Sequence, residues 1–272
     1  MQAQLKVKKS GYTAPGFAVP LPACEKDVFP AMVEGRYEVR IAANAAETVS
    51  ALRLRHEVFS VELGGHAASS TESRLEFDAD DFKCRHLIVI EREAGTTVGT
   101  YRLNTIETAG STRGFYSANE FTVDDLPADV LKNGIEIGRA CIAKEHRNTK
   151  VLFLLWKALL AYLDHTGKRY FFGCCSIFTQ DIETGRQAYA QLRREGRFLK
   201  RTGVVPKHDA ITVNDISGEH HVELPALFNM YIRLGARICS PPMIDREFGT
   251  IDFFVLFDVR DMSQKYRRMF AS

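Results

Sequence analysis

Ionisable residues that could bind charged groups or move protons are concentrated in the middle of the chain. They are Arg55, Glu57, Asp78, Asp80, Asp81, His86, Arg102, Glu136 and Arg139. Glu136 and Arg139 stand among apolar residues in the segment IEIGRACIA, so their charges need partners or an open cleft. Structural ion pairs are one interpretation. Because strongly perturbed ionisable groups cluster at functional sites and several converge here, we favour a site.

Two further residues are candidates for catalysis. His86 stands at the start of a predicted strand beside an acidic loop, where a lone histidine is more often structural than catalytic. Cys141 is a potential nucleophile, but it lies in an apolar strand and no histidine follows it at an interpretable spacing. The sequence holds no phosphate-binding glycine loop, serine-hydrolase elbow or zinc-protease motif, and we expect no metal.

The elements that position these residues follow from the spacing of apolar side chains. Alternating or apolar runs predict strands over YEVRI, HLIVIERE, TVGTYRLNTI, GIEIGRACIAKEHR, RYFFGCCSIF and IDFFVLFDV. Helical spacing predicts helices over AANAAETVSALRLRHEVFSVELG, VLFLLWKALLAYLDHTG, DIETGRQAYAQLRREGRF and ELPALFNMYIRLGARI. This order predicts a mixed α/β fold. We expect an extended arm over residues 1–36 and one domain over 37–272, with a C-terminal elaboration from about residue 200.

Composition and charge argue against several classes of protein. The 272 residues carry 36 Lys+Arg against 34 Asp+Glu, and a net charge of +2 argues against nucleic-acid binding. The longest apolar stretch, Val151 to Leu163, is interrupted by Lys157 and is too short to span a bilayer. The six cysteines form no C-x-x-C pair and the N-terminus lacks a signal-peptide pattern, so we expect a reducing, cytoplasmic location.

Several segments occur in an order that resembles a known family. LRLRHEVFSVELG, FDADDF with RHLIV, VGTYRL and EIGRACI stand in the order seen in the acyl-homoserine lactone synthases, which have the GNAT acyltransferase fold. VLFLLWKALLAYL and MYIRLGARICSPPMIDREFGTIDFFVLFDV are similar to the bacterial N-acyltransferases that make lyso-ornithine lipids, often labelled hemolysin-like. Long-chain N-acyl amino acid synthases are related in the same way. The resemblance extends from about Tyr37 to Val259.

The resemblance implies a GNAT-like α/β acyltransferase with a mixed central sheet flanked by helices. Its activity would be transfer of a fatty or 3-hydroxy fatty acyl group from acyl carrier protein to the α-amine of an amino acid. Ornithine is the leading acceptor, and the phosphopantetheine thioester is a co-substrate, so no cofactor is expected. An acyl-homoserine lactone or N-acyl amino acid signal synthase and a non-catalytic acyl-binding protein remain alternatives. Because the product would be amphiphilic, peripheral contact with the inner membrane is a further hypothesis.

The same resemblance assigns roles to the ionisable residues. Glu136 is the first candidate for the base that deprotonates the amine, with His86 as the alternative base and Cys141 as the less favoured nucleophile. Arg102 and Arg139 would hold the acceptor carboxylate, and Asp78 or Asp81 would hold a cationic amine or order Arg55. The loop SPPMIDREFGTID, with Asp245, Arg246, Glu247 and Asp252, would help to select the acceptor.

Donor binding is assigned to the strand and turn that follow Glu136. The splayed strand of the GNAT fold would be residues 136–143, with backbone N–H groups near Cys141–Ala143 stabilising the oxyanion. The phosphate turn would be residues 145–150, and the donor-binding residues are Ile142, Ala143, Arg147, Asn148 and Lys150. Lys150 and Leu152 occupy glycine positions of the pattern that acetyl-CoA users carry, which favours a carrier protein. The basic run Arg193, Arg194, Arg197, Lys200 and Arg201 is either a carrier-protein contact or a solvated helix face. The Trp156 helix and RYFFGCCSIF line an acyl tunnel or belong to the core.

Overall fold

The computed structural model describes residues 11–14, 17–20, 29–64, 69–70, 73–199, 202–213 and 221–271. The strands are β1 (Gly11–Ala14), β2 (Phe17–Pro20), β3 (Met32–Glu34), β4 (Tyr37–Ile41), β5 (Ser69–Ser70), β6 (Leu75–Glu76), β7 (Arg85–Glu91), β8 (Thr96–Thr105), β9 (Gly134–Ile142), β10 (Tyr170–Ile177), β11 (Arg237–Ile238), β12 (Met243–Asp245) and β13 (Thr250–Asp258). The helices are α1 (Ala45–Arg55), α2 (Ile106–Ala109), α3 (Ala128–Asn133), α4 (Thr149–His165), α5 (Ile182–Arg194), α6 (Ala226–Leu234) and α7 (Gln264–Ala271). A π-helical segment, His56–Glu62, continues α1.

Within the described residues, nine of the strands form one mixed sheet. Its order is β3-β4-β7-β8-β9-β10-β13-β11, and β12 pairs with the other end of β13. β9 and β10 run parallel, whereas the other neighbours are antiparallel. Every strand and helix that the apolar spacing predicts is present, so the predicted α/β order is confirmed.

The two faces of the sheet are covered differently. Alternation along β10 places Phe171 on the face that packs against α4, where Trp156 is fully buried and contacts both Phe171 and Tyr231. The neighbouring Phe172 points to the opposite face and packs against Phe115 and Phe254. That opposite face is covered by the segment between β8 and β9.

β9 and β10 separate after a short ladder. Only Gly134–Glu136 pair with Tyr170–Phe172. The next residue, Gly173, has φ +151°, and a Cβ there would lie 2.5 Å from the carbonyl oxygen of Ile137, so glycine is required where the strands part. β9 also bulges, because Arg139 and Ala140 together stand opposite Tyr101. Of the predicted splay of residues 136–143, Glu136 still pairs with β10, and the two strands are apart from Ile137 onwards.

The predicted arm and the predicted C-terminal elaboration both contribute strands to the described structure. Met32–Glu34, which we predicted to belong to the arm, pairs with β4 as the edge strand of the sheet, and the described residues 11–20 hold a β1-β2 hairpin. Most of residues 1–28 lie outside the described residues. In the C-terminal part, β13 pairs with the whole length of β10 in the interior of the sheet. No helix of the described residues is both long and apolar enough to cross a membrane.

Candidate active site

A cavity of about 510 Å³ lies where β9 and β10 part. On the α4 face its wall is apolar and includes Tyr101, Ile137, Leu155, Phe228 and Tyr231. The opposite wall carries polar and ionisable groups, which are Arg102, Asn104, Tyr116, Glu136, Arg139, Cys174, Ser176, Asp245 and Asp252. The gap between the strands therefore joins an apolar compartment to a polar one. This volume lies in the range of about 300–1,000 Å³ that is usual for ligand pockets.

A buried ionic cluster stands behind the polar wall. Arg55 is fully buried and donates to both oxygens of Asp81 at 2.6 and 3.0 Å, and it also pairs with Glu76. Arg102 donates from Nη1 to both oxygens of Asp78 at 2.7 Å and to Asp81 at 3.2 Å. A third arginine, Arg139, also pairs with Asp78, and both Arg102 and Arg139 line the cavity. The ionic cluster thus connects α1, the acidic turn before β7, β8 and β9.

Two acids of the ionic cluster, Asp78 and Asp81, have lowered pKa values. Burial alone would raise the pKa of the Asp81 carboxyl, but the charges of Arg55 and Arg102 outweigh burial and hold that pKa far below its usual range. The pKa of Asp78 is lowered against burial by Arg102 and Arg139. The sequence left two roles open for these acids, holding a cationic amine or ordering Arg55. Asp81 pairs with Arg55, which corresponds to the second of these roles.

Arg139 is held from four sides. Its guanidinium lies 3.1 Å from Glu76 and 3.1 Å from Asp78, and it stacks between the rings of Tyr116 and Phe248 at 4.4 and 4.3 Å from their centroids. Arg102 and Arg139 therefore already pair with protein carboxylates. An acceptor carboxylate at this wall would add to, or compete with, those pairs.

Glu136 is buried at the polar wall and fixed by the segment that follows α2. Its carboxylate accepts hydrogen bonds from Ser117 Oγ at 2.6 Å, Ser117 N at 2.8 Å and Tyr116 N at 3.0 Å. Burial raises the pKa of Glu136, and these hydrogen bonds offset only part of that rise. A carboxylate offers about four lone-pair sites, so one acceptor position remains. Glu136 therefore combines a fixed position with a pKa shifted towards that of a general base.

His86 and Cys141 occupy different positions. His86 is buried against the acidic turn, with Nε2 3.1 Å from the carbonyl oxygen of Asp81, and it does not line the cavity. Burial lowers the pKa of His86, although the charge of Asp81 opposes this. Cys141 does line the cavity, but burial raises its pKa to about 12, so the thiol stays protonated near neutral pH.

The turn from β9 into α4 holds the predicted donor-binding residues. Arg147 pairs with Glu62 and donates from Nε to the carbonyl oxygen of Ile142 at 3.0 Å. Asn148 caps α4, accepting from the N–H groups of Lys150 at 3.0 Å and Val151 at 3.1 Å. Two amides that a helix N-terminus would offer to a phosphate are therefore already taken.

Backbone geometry separates two of the predicted oxyanion donors. Ala143 N donates to the carbonyl oxygen of Val98 at 2.8 Å, so this group is already used and Ala143 is not an oxyanion donor. Because antiparallel pairing alternates along a strand, the N–H of the preceding Ile142 points away from β8, towards the gap.

Two relatives decide the family. The chain is 30% identical over 248 residues to the L-ornithine N(alpha)-acyltransferase of Rhodobacter capsulatus, and the match covers 86% of this chain and 95% of that protein. It is also 30% identical over 246 residues to the L-ornithine N(alpha)-acyltransferase of Agrobacterium fabrum, covering 85% of this chain and 84% of that protein. The chain belongs to the L-ornithine N(alpha)-acyltransferase family.

The GNAT fold predicted for this member of the L-ornithine N(alpha)-acyltransferase family is confirmed. A family model described as an acetyltransferase (GNAT) domain matches residues 54–157, which include the ionic cluster, β9 and the start of α4. Among solved structures, an N-acyl amino acid synthase from uncultured soil microbes has a TM-score of 0.48 and 12% identity, covering 84% of this chain and 95% of that chain. The chain is an acyltransferase.

Some residues of the cavity and the ionic cluster of this family member were not predicted from the sequence. Glu76, Tyr116 and Ser117 were not singled out, although Glu76 stands two residues before Asp78 in an acidic stretch. Asp245 and Asp252 do line the cavity, but they lie on strands β12 and β13, and the predicted loop SPPMIDREFGTID forms the hairpin between these strands. Of the basic run, Arg193 stacks on Tyr189, whereas residues 200 and 201 lie outside the described residues.

Proposed function

We propose that this chain transfers a fatty acyl group from the thioester of acyl carrier protein to the α-amine of ornithine. The observation that carries the proposal is the 30% identity, over most of both chains, to proteins named L-ornithine N(alpha)-acyltransferase. The cavity supports it, because an apolar compartment suits an acyl chain and a polar compartment suits an amino acid.

The reaction requires a base and a stabilised oxyanion. The amine nitrogen attacks the thioester carbonyl carbon, the new C–N bond forms, the C–S bond breaks, and the proton lost by the amine ends on the departing thiol. Glu136 takes that proton through its remaining acceptor position, directly or through a water. The N–H of Ile142, which faces the gap, is placed to donate to the oxyanion.

Acyl carrier protein is the donor we favour over coenzyme A. Asn148 occupies two amides at the start of α4, which leaves a poor cradle for a pyrophosphate. Lys144 and Lys150 flank the same turn and offer positive charge to a single phosphate and to the acidic surface of a carrier protein.

The test measures thiol release and product mass with purified protein, acyl-acyl carrier protein or acyl-coenzyme A, and ornithine. We expect N-acyl ornithine as the product from acyl-acyl carrier protein. Glu136→Gln should lose most of the acylation rate. Lys150→Glu should raise the KM for acyl-acyl carrier protein and leave the KM for ornithine unchanged. Exclusive use of acyl-coenzyme A would refute the proposal that acyl carrier protein is the donor. Acylation of S-adenosylmethionine instead of ornithine would favour a signal synthase, and acyl binding without product would favour a binding protein.

The rim of the cavity suggests where an amphiphilic product leaves. Leu63 and Phe178 line the cavity and are 42% and 48% exposed, so two large apolar side chains stand at its rim. We infer peripheral contact of this rim with the cytoplasmic face of the membrane. The double variant Leu63→Ser, Phe178→Ser should sediment less with anionic liposomes than the unmodified protein, and equal sedimentation would contradict the contact.

A further inference from the structure

Three buried carboxylates gather on the polar side of the cavity. Glu120, Asp245 and Asp252 are only 5%, 9% and 3% exposed. Cys174 donates from Sγ to Glu120 at 3.1 Å, and the ligand atoms of Glu120, Cys174 and Asp252 lie within 4.8 Å of one another. Asp245, Asp252 and Cys174 line the cavity. This acidic corner shares no carboxylate with the ionic cluster around Arg55, and Tyr116 interacts with both, through Glu120 and Arg139.

Among the described residues, the acidic corner has no basic partner. In the part of the chain that the structure describes, no Lys, Arg or His nitrogen lies within 4.0 Å of its three carboxylates. By contrast, Asp81 and Glu76 pair with Arg55. Within the same described residues, Oδ1 of Asp252 is buried and makes no hydrogen bond. Burying acids without a cation is costly, so such an arrangement is expected where a ligand supplies the positive charge.

We propose that Asp252 and Asp245, with Glu120 behind them, form a subsite for the side-chain ammonium of a basic amino acid acceptor. The inference rests on the proposed function, because it assigns the residues that read the second amine of ornithine. Asp245 is already oriented, since its Oδ1 accepts from the N–H groups of Glu247 and Phe248 at 2.9 Å. The unpartnered Oδ1 of Asp252 is then the acceptor that the ammonium satisfies.

The position of the acidic corner fits an acceptor that also reaches Glu136. The segment from Tyr116 to Glu120 contributes to both places: Tyr116 and Ser117 hold Glu136, and Glu120 lies in the acidic corner. Glu136 and Asp252 also lie on the same face of the sheet, because each is paired with a residue of β10 an even number of positions apart, Phe172 and Ser176. An α-amine at one acid and a side-chain ammonium at the other would be bound in the same compartment.

An ammonium fits the acidic corner better than a metal ion does. Burial raises the pKa of the Cys174 thiol well above its usual range, which disfavours the thiolate that a soft metal requires. Burial and the charge of Asp252 also raise the pKa of Glu120 well above its usual range. A nearby cation would favour the charged forms of these acids.

The test compares ornithine with norvaline, which has the same carbon skeleton and no terminal amine. The unmodified protein should acylate ornithine at least about 100-fold more efficiently, since a subsite built for a charged group rejects an analogue that lacks it. Asp252→Asn should lower kcat/KM for ornithine by about tenfold or more and leave norvaline within about threefold. The matched control is Asp258→Asn, at the other end of β13, where the carboxylate pairs with Arg169 outside the cavity.

The outcomes separate the subsite from the reaction. Equal use of ornithine and norvaline by the unmodified protein, or an unchanged preference in Asp252→Asn, overturns the subsite while the acyl transfer stands. If neither amino acid is acylated, titration calorimetry with ornithine still tests the subsite. The subsite predicts that ornithine binds the unmodified protein and binds Asp252→Asn more weakly, and equal binding would overturn it. Should Asp252→Asn fail to fold, Asp245→Asn takes its place. A stoichiometric metal by elemental analysis, lost in the variant, would assign the acidic corner to a metal instead.

Discussion

Replacing Arg55 with methionine removes the guanidinium at the centre of the ionic cluster. Arg55 is fully buried and pairs with Asp81 and Glu76. Breaking a buried ion pair from one side costs about 3–5 kcal/mol, because the remaining charge stays buried. Here Asp81 keeps Arg102 and Glu76 keeps Arg139, so we expect the lower end, about 3 kcal/mol. Methionine retains most of the side-chain volume, so little of the loss comes from a void.

The loss should depend on pH in a defined direction. In the unmodified protein the pKa of Asp81 lies below its unfolded value, so its contribution is present at neutral pH and is lost as the pH falls. In Arg55→Met the largest cation acting on Asp81 is gone and burial raises its pKa. The variant then gains protons in the folded state on acidification. The difference in stability between the two proteins should therefore shrink as the pH falls from 7 towards 4.

Urea unfolding at pH 7 and at pH 5 tests both statements. The matched control is Arg74→Met, because Arg74 pairs with Glu57 at the surface, with side chains 68% and 43% exposed, and should cost less than about 1 kcal/mol. A loss below about 1 kcal/mol in Arg55→Met, or one that does not change with pH, would refute the assignment of a cooperating buried cluster.

Four other changes have expected outcomes. Glu136→Gln should lower the acylation rate by about 10²–10⁴-fold with a folded protein by circular dichroism; a rate within threefold would dismiss Glu136 as the base. Leu152→Trp narrows the apolar wall, so with a mixture of acyl donors the products should carry shorter acyl groups by mass spectrometry. An unchanged distribution of acyl lengths would mean that the acyl group binds elsewhere. Gly173→Ala should lower the free energy of unfolding in urea by about 1–3 kcal/mol, because its Cβ would lie 2.5 Å from Ile137 O. An unchanged free energy of unfolding would mean that β9 and β10 move apart to accept the Cβ. Burial raises the pKa of Asp252 from 3.8 to about 6, so the contribution of this carboxyl to stability falls as the pH rises through that window, and Asp252→Asn should lack that contribution; parallel curves of melting temperature against pH for the two proteins would contradict the shift.

Elements with strong periodicity could be predicted from the sequence. GIEIGRACI became β9 with the predicted start, and VLFLLWKALLAYL became the core of α4, because each segment's own apolar spacing sets its conformation. The position of β13 beside β10 could not be predicted in this way. Pairing between strands about 80 residues apart depends on the whole fold, and no local pattern encodes it.

The site could be predicted in part. Charged residues in apolar strands indicated that Arg102, Glu136 and Arg139 need partners, and the structure places all three on one wall. Asp252 stands both at the end of the predicted loop SPPMIDREFGTID and at the start of the predicted strand IDFFVLFDV, and β13, which begins at Thr250, confirms the strand. Glu120 gave no signal, since an acid in a loop is ordinarily solvated and only the tertiary fold buries it.

The ionic cluster has a second consequence, which concerns the backbone of β9. Arg139 has φ +48°, a left-handed conformation that costs a residue with a Cβ about 1–2 kcal/mol. Glycine would adopt it without strain, but glycine could not make the ion pairs with Glu76 and Asp78 or the stacking on Tyr116 and Phe248. These contacts hold the bulge that turns β9 at the point where β10 departs. The carboxylates of the cluster therefore shape the gap through Arg139, and Arg55, which shares Glu76 with it, acts on the gap from one residue further away.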